Sequence, residues 1–415
     1  MILRIVQLGL LLTVVVIGGH AQAAGPVTIG AIYPLTGANA AAGAAAEAAI
    51  EVGADIVNTP HKGLDALPLG AGEGLPGLGG AKISITFADD QSNPSVAVAQ
   101  VLRLTSVDHV AALIGAAENG PTLAATAEAE RHGVPFLVPD ATEPKITGRG
   151  FAWSFRTTPL DRDFANAYGQ LLAALRAGGT TVDRVALVYE TTVRGTAAAT
   201  ALANAATGAG CSIVADSGYP PDGIDLSAQV ATLRNANPDV AIFVSDAADA
   251  GLFVKTMSAV GYKPPLLIGD DHGFSDPGFV TANGNLAQGA VSRSVWRLGD
   301  AGSPTATVND LYRTRAGHDL DDFSGRVLQG FLALADAINR AGSIEPAAVQ
   351  AALQQTDLKP DQLIVGYNGI KFDLTGQNTL GATYLTQLQG KRYVTVWPAA
   401  AANAKLVLPY RGGQP

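Results

Sequence analysis

The sequence predicts an α/β protein with two lobes, each built on a doubly wound parallel sheet. Short apolar strands alternate with helices from residue 27 to about residue 138, and the alternation starts again at about residue 161. This pattern is typical of parallel sheets that carry helices on both faces. The chain also has 415 residues, which is more than one core normally serves, because single cores stop growing at about 250–300 residues.

The N-terminal 23 residues have the pattern of a secretory signal peptide. Arg4 precedes an apolar run over residues 8–17, two glycines end the run, and Ala21-Gln22-Ala23 matches the small-x-small cleavage pattern. The run is shorter than the roughly 17–25 apolar residues that a membrane-spanning helix needs. We therefore predict export to the periplasm and cleavage near Ala23.

Composition excludes several classes of protein. Hydrophobic residues make up 47% of the chain and charged residues 15%, which excludes intrinsic disorder. The formal net charge of −9 without Lys/Arg clusters is a poor match for nucleic acid or anionic lipid, because both attract basic surfaces. Cys211 is the one cysteine in the sequence, so no intrachain disulfide is possible, and we interpret it as an inert buried thiol.

The first set of elements begins with a buried strand at Val27–Tyr33, which a Gly/Ala-rich helix follows through Ile56. The Gly/Pro-rich stretch at 59–80 predicts an ordered loop or hairpin. The later elements of this set are a strand at 82–87, a helix at 93–105, a strand at 110–114, a helix at 121–132 and a strand at 134–138.

The second set repeats the alternation. Its predicted helices are 161–177, 194–207, 226–235 and 248–260, and its predicted strands are 182–189, 212–215, 240–244 and 266–269. After Trp296 the chain is mostly helical, at 304–316, 322–342 and 345–355, and β-like segments at 369–372 and 384–396 end it. A helical block after two α/β lobes, with no low-complexity linker, suggests that the chain returns to the first lobe.

The sequence contains no strong catalytic motif. Residues 72–77 match G-x-G-x-x-G literally, but a proline lies inside the match and a strand follows it, whereas a dinucleotide site needs a helix there. Asp270-Asp271-His272 resembles part of a metal site, yet the six histidines are scattered and further ligands are missing. We predict neither a cofactor nor a metal.

Polar residues at the ends of strands form the candidate ligand site, because ligands of open α/β sheets bind there. Asn119 is predicted to cap a helix whose free N–H groups could hold a carboxylate, although an ordinary capped helix fits equally well. The elbow at 139–144 offers a hydroxyl and a carbonyl. The opposing strand ends in the second set are 190–195, Ser245-Asp246 and Asp270-Asp271.

Three segments carry a resemblance to a known family. They are IGAIYPLTG at 29–37, IGAAENGPTLAATAEAERHGVPFLVPDATEP at 114–144 and FDLTGQN at 372–378. In this order and spacing they resemble the Leu/Ile/Val-binding-like substrate-binding proteins of branched-chain amino-acid-type ABC transporters, which are type I periplasmic binding proteins. The resemblance covers essentially all of the mature chain. It implies two lobes joined by a three-segment hinge that close over a ligand.

The resemblance also implies a function. We expect a non-enzymatic periplasmic receptor that captures a small polar ligand, either an amino acid or a related amino/amide or carboxylate compound. The receptor would deliver it to an ABC transporter permease in the inner membrane, as a monomer and without a nucleic-acid partner. Two alternatives stay open: an exported α/β enzyme that uses an acidic cleft, and a ligand-sensing receptor without a transport role.

The ligand-binding residues implied by the resemblance lie in both lobes. They are Asn119, Gly120 and Thr122 at the helix start, Asp140 through its carbonyl, Ala141 and Thr142 at the elbow, and Arg194, Asp246 and Asp271 in the second lobe. Asp271 is expected to pair with a ligand ammonium. Arg194 could neutralise Asp246 or grip a second acidic group on the ligand. The family usually has a hydroxyl residue where Asn119 stands and aromatics near Arg194 and Asp246, so this pocket is more charged than a leucine-type pocket.

The resemblance divides the chain into five parts. These are a signal peptide at 1–23, lobe I at 24–158, lobe II at 159–293, a second part of lobe I at 294–376, and a return to lobe II with the C-terminal tail at 377–415. The hinge segments are expected near 156–160, 292–296 and 373–380.

Overall fold

The computed structural model describes residues 25–37, 39–221, 223–270, 272–390 and 392–413. The predicted signal peptide and Asp271 lie outside the described residues. Two separate sheets with helices on both faces organise the described chain, which is the predicted α/β architecture.

The first sheet has five strands in the order β2-β1-β3-β4-β5, and all neighbouring pairs are parallel. Its strands are β1 (Val27–Tyr33), β2 (Ile83–Asp89), β3 (Ala112–Gly115), β4 (Phe136–Val138) and β5 (Ser154–Arg156). The sequence analysis missed β5, because a strand of three residues is too short to show a period-two pattern.

The second sheet contains seven strands in the order β14-β13-β10-β9-β8-β6-β7. Five of them are mutually parallel, namely β6 (Arg184–Glu190), β7 (Ser212–Tyr219), β8 (Val240–Val244), β9 (Leu266–Asp270) and β10 (Val291–Ser294). A separate short pair, β11 (Asp357–Leu358) and β12 (Ile370–Lys371), is antiparallel.

An antiparallel hairpin forms the edge of the second sheet. β13 (Tyr384–Gln389) pairs antiparallel with both β10 and β14 (Arg392–Trp397). The second sheet is therefore mixed rather than wholly parallel. The sequence analysis treated 384–396 as one β-like segment, whereas the chain reverses at Gly390, whose φ of 68° lies in the left-handed region that glycine tolerates.

The longer helices of the first two sets alternate with the strands as predicted, and three short helices at 145–148, 272–275 and 277–283 were not predicted. Their bounds are α1 (Ala40–Asn58), α2 (Pro94–Ser106), α3 (Asn119–His132), α4 (Lys145–Gly148), α5 (Asp161–Ala177), α6 (Val193–Gly208), α7 (Ser227–Ala236), α8 (Ala247–Ala259), α9 (His272–Ser275), α10 (Pro277–Asn283), α11 (Pro304–Ala316), α12 (Asp322–Ala341) and α13 (Pro346–Gln354). None of the described helices is long and apolar enough to cross a membrane.

Each sheet separates two hydrophobic clusters, because successive side chains of a strand point to opposite faces. In β6, Val185 and Leu187 pack with α5 and α6, whereas Ala186 and Val188 pack with α7 and α8. On the first sheet, α1, α12 and α13 cover one face, and α2 and α3 cover the other. The late helical block thus packs on the first sheet.

Helices α1 and α12 approach each other closely at one glycine. A Cβ atom at Gly53 would lie 2.4 Å from the ring of Phe331, so the absence of a side chain there permits the contact. Most of α12 is buried along its length, including the polar side chains of Asp322, Arg326 and Gln329.

The chain passes between the two sheets three times, after β5, after β10 and after β12. The first and third crossovers run side by side, since Arg156 N donates to Gly376 O at 2.8 Å and Asn378 N donates to Arg156 O at 2.9 Å. Along the second crossover, Gly366 N donates to Val295 O at 2.7 Å. The three crossovers agree with a three-segment hinge, and the exact domain boundaries remain a prediction.

The insertion at 59–80 is an ordered series of turns, as predicted. Leu64, Leu67 and Leu75 are buried in the core of the first lobe. The literal G-x-G-x-x-G match lies in this loop, where Gly77 N donates to Asn339 Oδ1 on α12 at 2.8 Å. The loop therefore packs against a helix side chain and does not open a helix toward a phosphate.

Cys211 is the buried thiol that the sequence predicted. Its sulfhydryl donates to Val182 O at 3.1 Å, and burial raises its pKa above the ordinary value. A raised pKa lowers the fraction of reactive thiolate.

Candidate functional site

The carboxyl ends of β2, β3 and β4 bring polar residues together at one edge of the first sheet. β2 and β3 lie on either side of β1, and β4 lies next to β3. The loops that follow these three strands are therefore neighbours in space. Asp90 follows β2, Asn119 follows β3, and the elbow with Thr142 follows β4.

Asn119 joins the helix start to the elbow. Its Oδ1 accepts hydrogen bonds from Thr142 N at 3.0 Å and Glu143 N at 3.1 Å. Asn119 is the first residue of α3, and Glu118, with an extended backbone, takes the N-cap position. The predicted capping role of Asn119 is therefore wrong, because its side chain reaches to the elbow and does not fold back on its own helix.

The orientation of the Asn119 amide follows from these two bonds. Two N–H donors require an oxygen, so the Nδ2 group must point away from the elbow. Nδ2 is buried and has no hydrogen-bond partner among the described residues. The backbone N–H groups of Asn119 and Gly120 likewise have no partner in the described part of the chain. Three donors without acceptors lie together at this helix start, and a ligand or water acceptor would satisfy them.

Thr142 leaves its hydroxyl available, whereas Thr122 does not. Thr142 is nearly buried, and its Oγ1 makes no hydrogen bond within the described residues. The Thr122 hydroxyl is fully buried and donates to Ala116 O and Glu118 O, at 3.0 and 2.6 Å. The structure therefore places Thr142 with Asn119 and Gly120 at the edge, and Thr122 behind it.

Asp140 and Ala141 shape the elbow from within the lobe. The Asp140 carbonyl, which was expected to face a ligand, accepts from Arg326 Nη1 at 3.0 Å. Its carboxylate forms an ion pair with the same Nη1 at 2.6 Å. The Ala141 side chain packs in the core between the sheet and α2 and α3, so neither side chain is presented at the edge.

Arg156 fixes the elbow from below, and the sequence analysis missed it. Its guanidinium donates to Glu143 O at 2.7 Å, Thr147 Oγ1 at 3.0 Å and Gln377 Oε1 at 2.7 Å. Burial lowers its pKa to about 10, so it remains charged at neutral pH. Its partner Gln377 lies 221 positions further along the chain, so no local pattern singles Arg156 out.

Two neighbouring carboxylates follow β2 and differ in environment. Asp89 accepts from Leu35 N at 2.9 Å and from the Thr36 hydroxyl at 2.5 Å, which holds the loop after β1. Asp90 is 1% exposed, and its Oδ2 has no hydrogen-bond partner among the described residues. Burial raises the pKa of Asp90 to about 6, with Glu118 contributing in the same direction.

Asp90→Asn is expected to make the protein more stable at neutral pH. The folded pKa of about 6 exceeds the ordinary value of about 3.9, so the folded chain binds more protons between these values. Stability contributed by Asp90 is thus present at low pH and is lost as pH rises from about 4 to about 6. Urea unfolding should show a higher midpoint for Asp90→Asn at about pH 7.5 and a shrinking difference toward pH 4.

The matched control is Asp89→Asn. Burial acts to raise the pKa of Asp89, but hydrogen bonds led by that from the Thr36 hydroxyl outweigh it and lower the pKa. Asp89→Asn should therefore lose stability at neutral pH. Equal effects of the two substitutions across the pH range would contradict the assignment.

In the second lobe, Arg194 lies between two carboxylates. Its Nε donates to Glu190 Oε1 at 3.0 Å, and its Nη2 lies 3.1 Å from Asp246 Oδ1. Thr192 Oγ1 also donates to Glu190 Oε1, at 3.0 Å. The Glu190 side chain is buried, whereas that of Asp246 is 56% exposed. Of the two roles left open for Arg194, the structure shows neutralisation of Asp246, and it adds Glu190, which the predicted site lacked.

The carboxylates, histidines and cysteine of the described residues do not form a metal centre. No group of three or more His, Cys, Asp or Glu in this part of the chain is arranged to hold a metal ion.

A groove of about 550 Å³ lies along the crossovers, between α5, the third crossover and Trp397. It shares no residue with the predicted ligand site.

A family model described as periplasmic binding protein matches residues 26–392. The chain belongs to this family of periplasmic binding proteins. This confirms the predicted resemblance and places the protein among periplasmic solute receptors that serve ABC transporters, and not among enzymes.

A curated relative and two solved structures are similar to this chain. The Leu/Ile/Val-binding protein homolog 7 of Brucella suis is 28% identical, and the match covers 95% of this chain and 96% of the relative. The branched-chain amino acid transporter substrate-binding protein of Streptococcus pneumoniae, in complex with isoleucine, is 20% identical with a TM-score of 0.74, covering 92% of this chain and 100% of that one.

The second structure is a solute-binding protein of an ABC transporter from Rhodopseudomonas palustris in complex with 3,4-dihydroxybenzoic acid. It is 20% identical with a TM-score of 0.72, and the match covers 87% of this chain and 93% of that one. Both structures share the fold of this periplasmic binding protein, and their ligands differ.

Proposed function

We propose that this periplasmic binding protein captures a small polar ligand between its two lobes, either an amino acid or a related amino/amide or carboxylate compound, and that a zwitterion fits best. The protein then delivers the ligand, as a monomer, to an ABC permease in the inner membrane. The observation that carries this proposal is the donor cluster of Asn119 Nδ2, the first N–H groups of α3 and the Thr142 hydroxyl. Converging donors at a helix N-terminus favour a carboxylate.

The opposite side of the cleft is proposed to be acidic. Glu190 and Asp246 contribute two carboxylates at this end of the second sheet, and both contact the guanidinium of Arg194. The resemblance adds Asp271, which lies outside the described residues, as the partner of a ligand ammonium. Donors on one lobe and carboxylates on the other match the two ends of a zwitterion.

Known ligands of similar proteins support a carboxylate and leave the rest of the ligand open. Isoleucine and 3,4-dihydroxybenzoic acid, bound by two proteins of the same fold, share a carboxylate and differ in their other groups. The carboxylate is therefore the part of the ligand that we assign to the donor cluster.

Thr142→Val should weaken ligand binding by about 1–3 kcal/mol, because it leaves a ligand oxygen without its donor. Titration calorimetry measures this with the tightest binder from a panel of leucine, isoleucine, valine and polar amino acids. Thr122→Val is the matched control, since the Thr122 hydroxyl bonds to carbonyls of its own lobe, and its affinity should stay within about twofold of wild type. An equal affinity for Thr142→Val and wild type would place the carboxylate elsewhere.

Export is proposed to end with cleavage near Ala23. N-terminal sequencing of the protein from its native periplasm should therefore begin near Ala24, and an intact Met1 on the mature protein would contradict it.

A further inference from the structure

A chain of five ionised side chains crosses between the two lobes. Arg326 lies 2.6 Å from Asp140 Oδ1 and 3.1 Å from Asp322 Oδ2. Arg293 lies 3.3 Å from the same Asp322 Oδ2 and 2.9 Å from Asp270 Oδ1. All five residues are at most 5% exposed. We call these residues the interlobe network.

The members of the interlobe network belong to different lobes. Asp140 follows β4, and Asp322 and Arg326 lie on α12, which packs on the first sheet. Arg293 and Asp270 lie on β10 and β9 of the second sheet. The contact between Arg293 and Asp322 therefore joins a strand of one lobe to a helix of the other.

Helix α5 encloses the network from the side of the second lobe. The Arg293 guanidinium carbon lies 3.8 Å from the centre of the Phe164 ring, and the Tyr168 hydroxyl donates to Asp270 Oδ1 at 3.1 Å. Where water is excluded, the attraction between the Arg293 cation and the aromatic ring is stronger than in solvent. The hydrogen bond to the Asp270 carboxylate is strengthened in the same way.

The network also contacts the first and second crossovers. Arg326 Nη1 donates to Thr158 Oγ1 at 3.3 Å on the first crossover, and Val295 N on the second donates to Asp322 Oδ1 at 2.6 Å. The third crossover is bonded to the first, since Gln377 Nε2 donates to Thr158 O at 3.1 Å. A rotation of one lobe against the other must therefore shift contacts of this network.

The two ends of the network reach the two halves of the proposed ligand site. Asp140 stands two residues before Thr142, and Asp270 directly precedes Asp271. Buried charges hold their partners firmly, because a buried charge that loses its partner is strongly destabilising. A change in position at one end is thus costly unless the other members follow it.

We propose that Arg293 and Arg326 are positioning residues whose ionic network sets the angle between the lobes and couples the Thr142 elbow to the end of β9. The proposal rests on the proposed function for the identity of the coupled segments. It does not require either arginine to touch the ligand.

Arg293→Lys tests the network, because a lysine keeps the charge but has no planar fork to bond two carboxylates at once. X-ray scattering of the ligand-free variant should give a radius of gyration different from that of wild type, while urea unfolding remains one cooperative transition. Calorimetry with the tightest binder of the amino-acid panel should show at least a tenfold loss of affinity. Asp322→Asn provides the same test if Arg293→Lys fails to fold.

The matched control is Arg297→Lys, four residues further along the second crossover, where the side chain is exposed and donates to Ala401 O. Its scattering profile and affinity should equal those of wild type. A ligand-free profile of Arg293→Lys that superimposes on wild type overturns the proposal, whatever the affinity. Failure of wild type to bind any compound of the panel would count against the proposed function alone, since the ligand-free scattering still decides the role of the network.

Discussion

Replacing Arg156 with methionine is expected to destabilise the protein by about 3–5 kcal/mol, because several buried acceptors lose their donor at about 1–3 kcal/mol each. The guanidinium is fully buried and bonds Glu143 O, Thr147 Oγ1 and Gln377 Oε1. Methionine fills much of the volume but donates nothing, so these buried acceptors lose their partner. Urea unfolding followed by circular dichroism measures the difference in unfolding free energy.

A surface arginine provides the matched control for this experiment. The Arg162 side chain is 72% exposed on α5, and Arg162→Met should change the unfolding free energy by no more than about 0.5 kcal/mol. If Arg156→Met stays within about 1 kcal/mol of wild type, the elbow and the third crossover are not held together by this side chain.

Asp271→Ala is expected to weaken ligand binding by about 2–5 kcal/mol, because a ligand ammonium enclosed between the lobes would lose its charged partner. The neighbouring carboxylate cannot compensate, since Asp270 is buried and bonded to Arg293 and Tyr168. Calorimetry with the tightest binder of the amino-acid panel measures the loss.

Asp246→Ala, which removes another carboxylate from the proposed acidic side of the cleft, separates a specific ammonium contact from an effect of net charge. The Asp246 side chain is 56% exposed and paired with Arg194, and exposed ion pairs contribute about 0–1 kcal/mol. A similar loss for both variants would show that net charge of the cleft, and not a specific ammonium contact, determines affinity. No loss for Asp271→Ala would place the ammonium elsewhere.

The sequence predicted the two α/β lobes well because strand–helix alternation is a local signal. It also predicted that Asn119 and Thr142 lie together, since both follow neighbouring parallel strands. It did not predict the direction of the Asn119 side chain, because capping and reaching across to the elbow are both available to an asparagine at a helix start.

The buried arginines could not be recognised from local pattern. The partners of Arg156 and Arg326 lie far away in the chain, with 221 residues separating Arg156 from Gln377 and 186 separating Arg326 from Asp140. Such pairs form only once the crossovers have brought distant segments together. The same holds for Thr122, whose hydroxyl could be assigned to its own lobe only from its contacts with two backbone carbonyls.

Native mass spectrometry of the protein purified from its own periplasm tests the binding function most directly. The proposed function predicts one small compound per chain, with a carboxylate and an amino or amide group, released on unfolding and chemically unchanged after prolonged incubation with the folded protein. Conversion of the bound compound into a product would contradict a receptor and favour an enzyme.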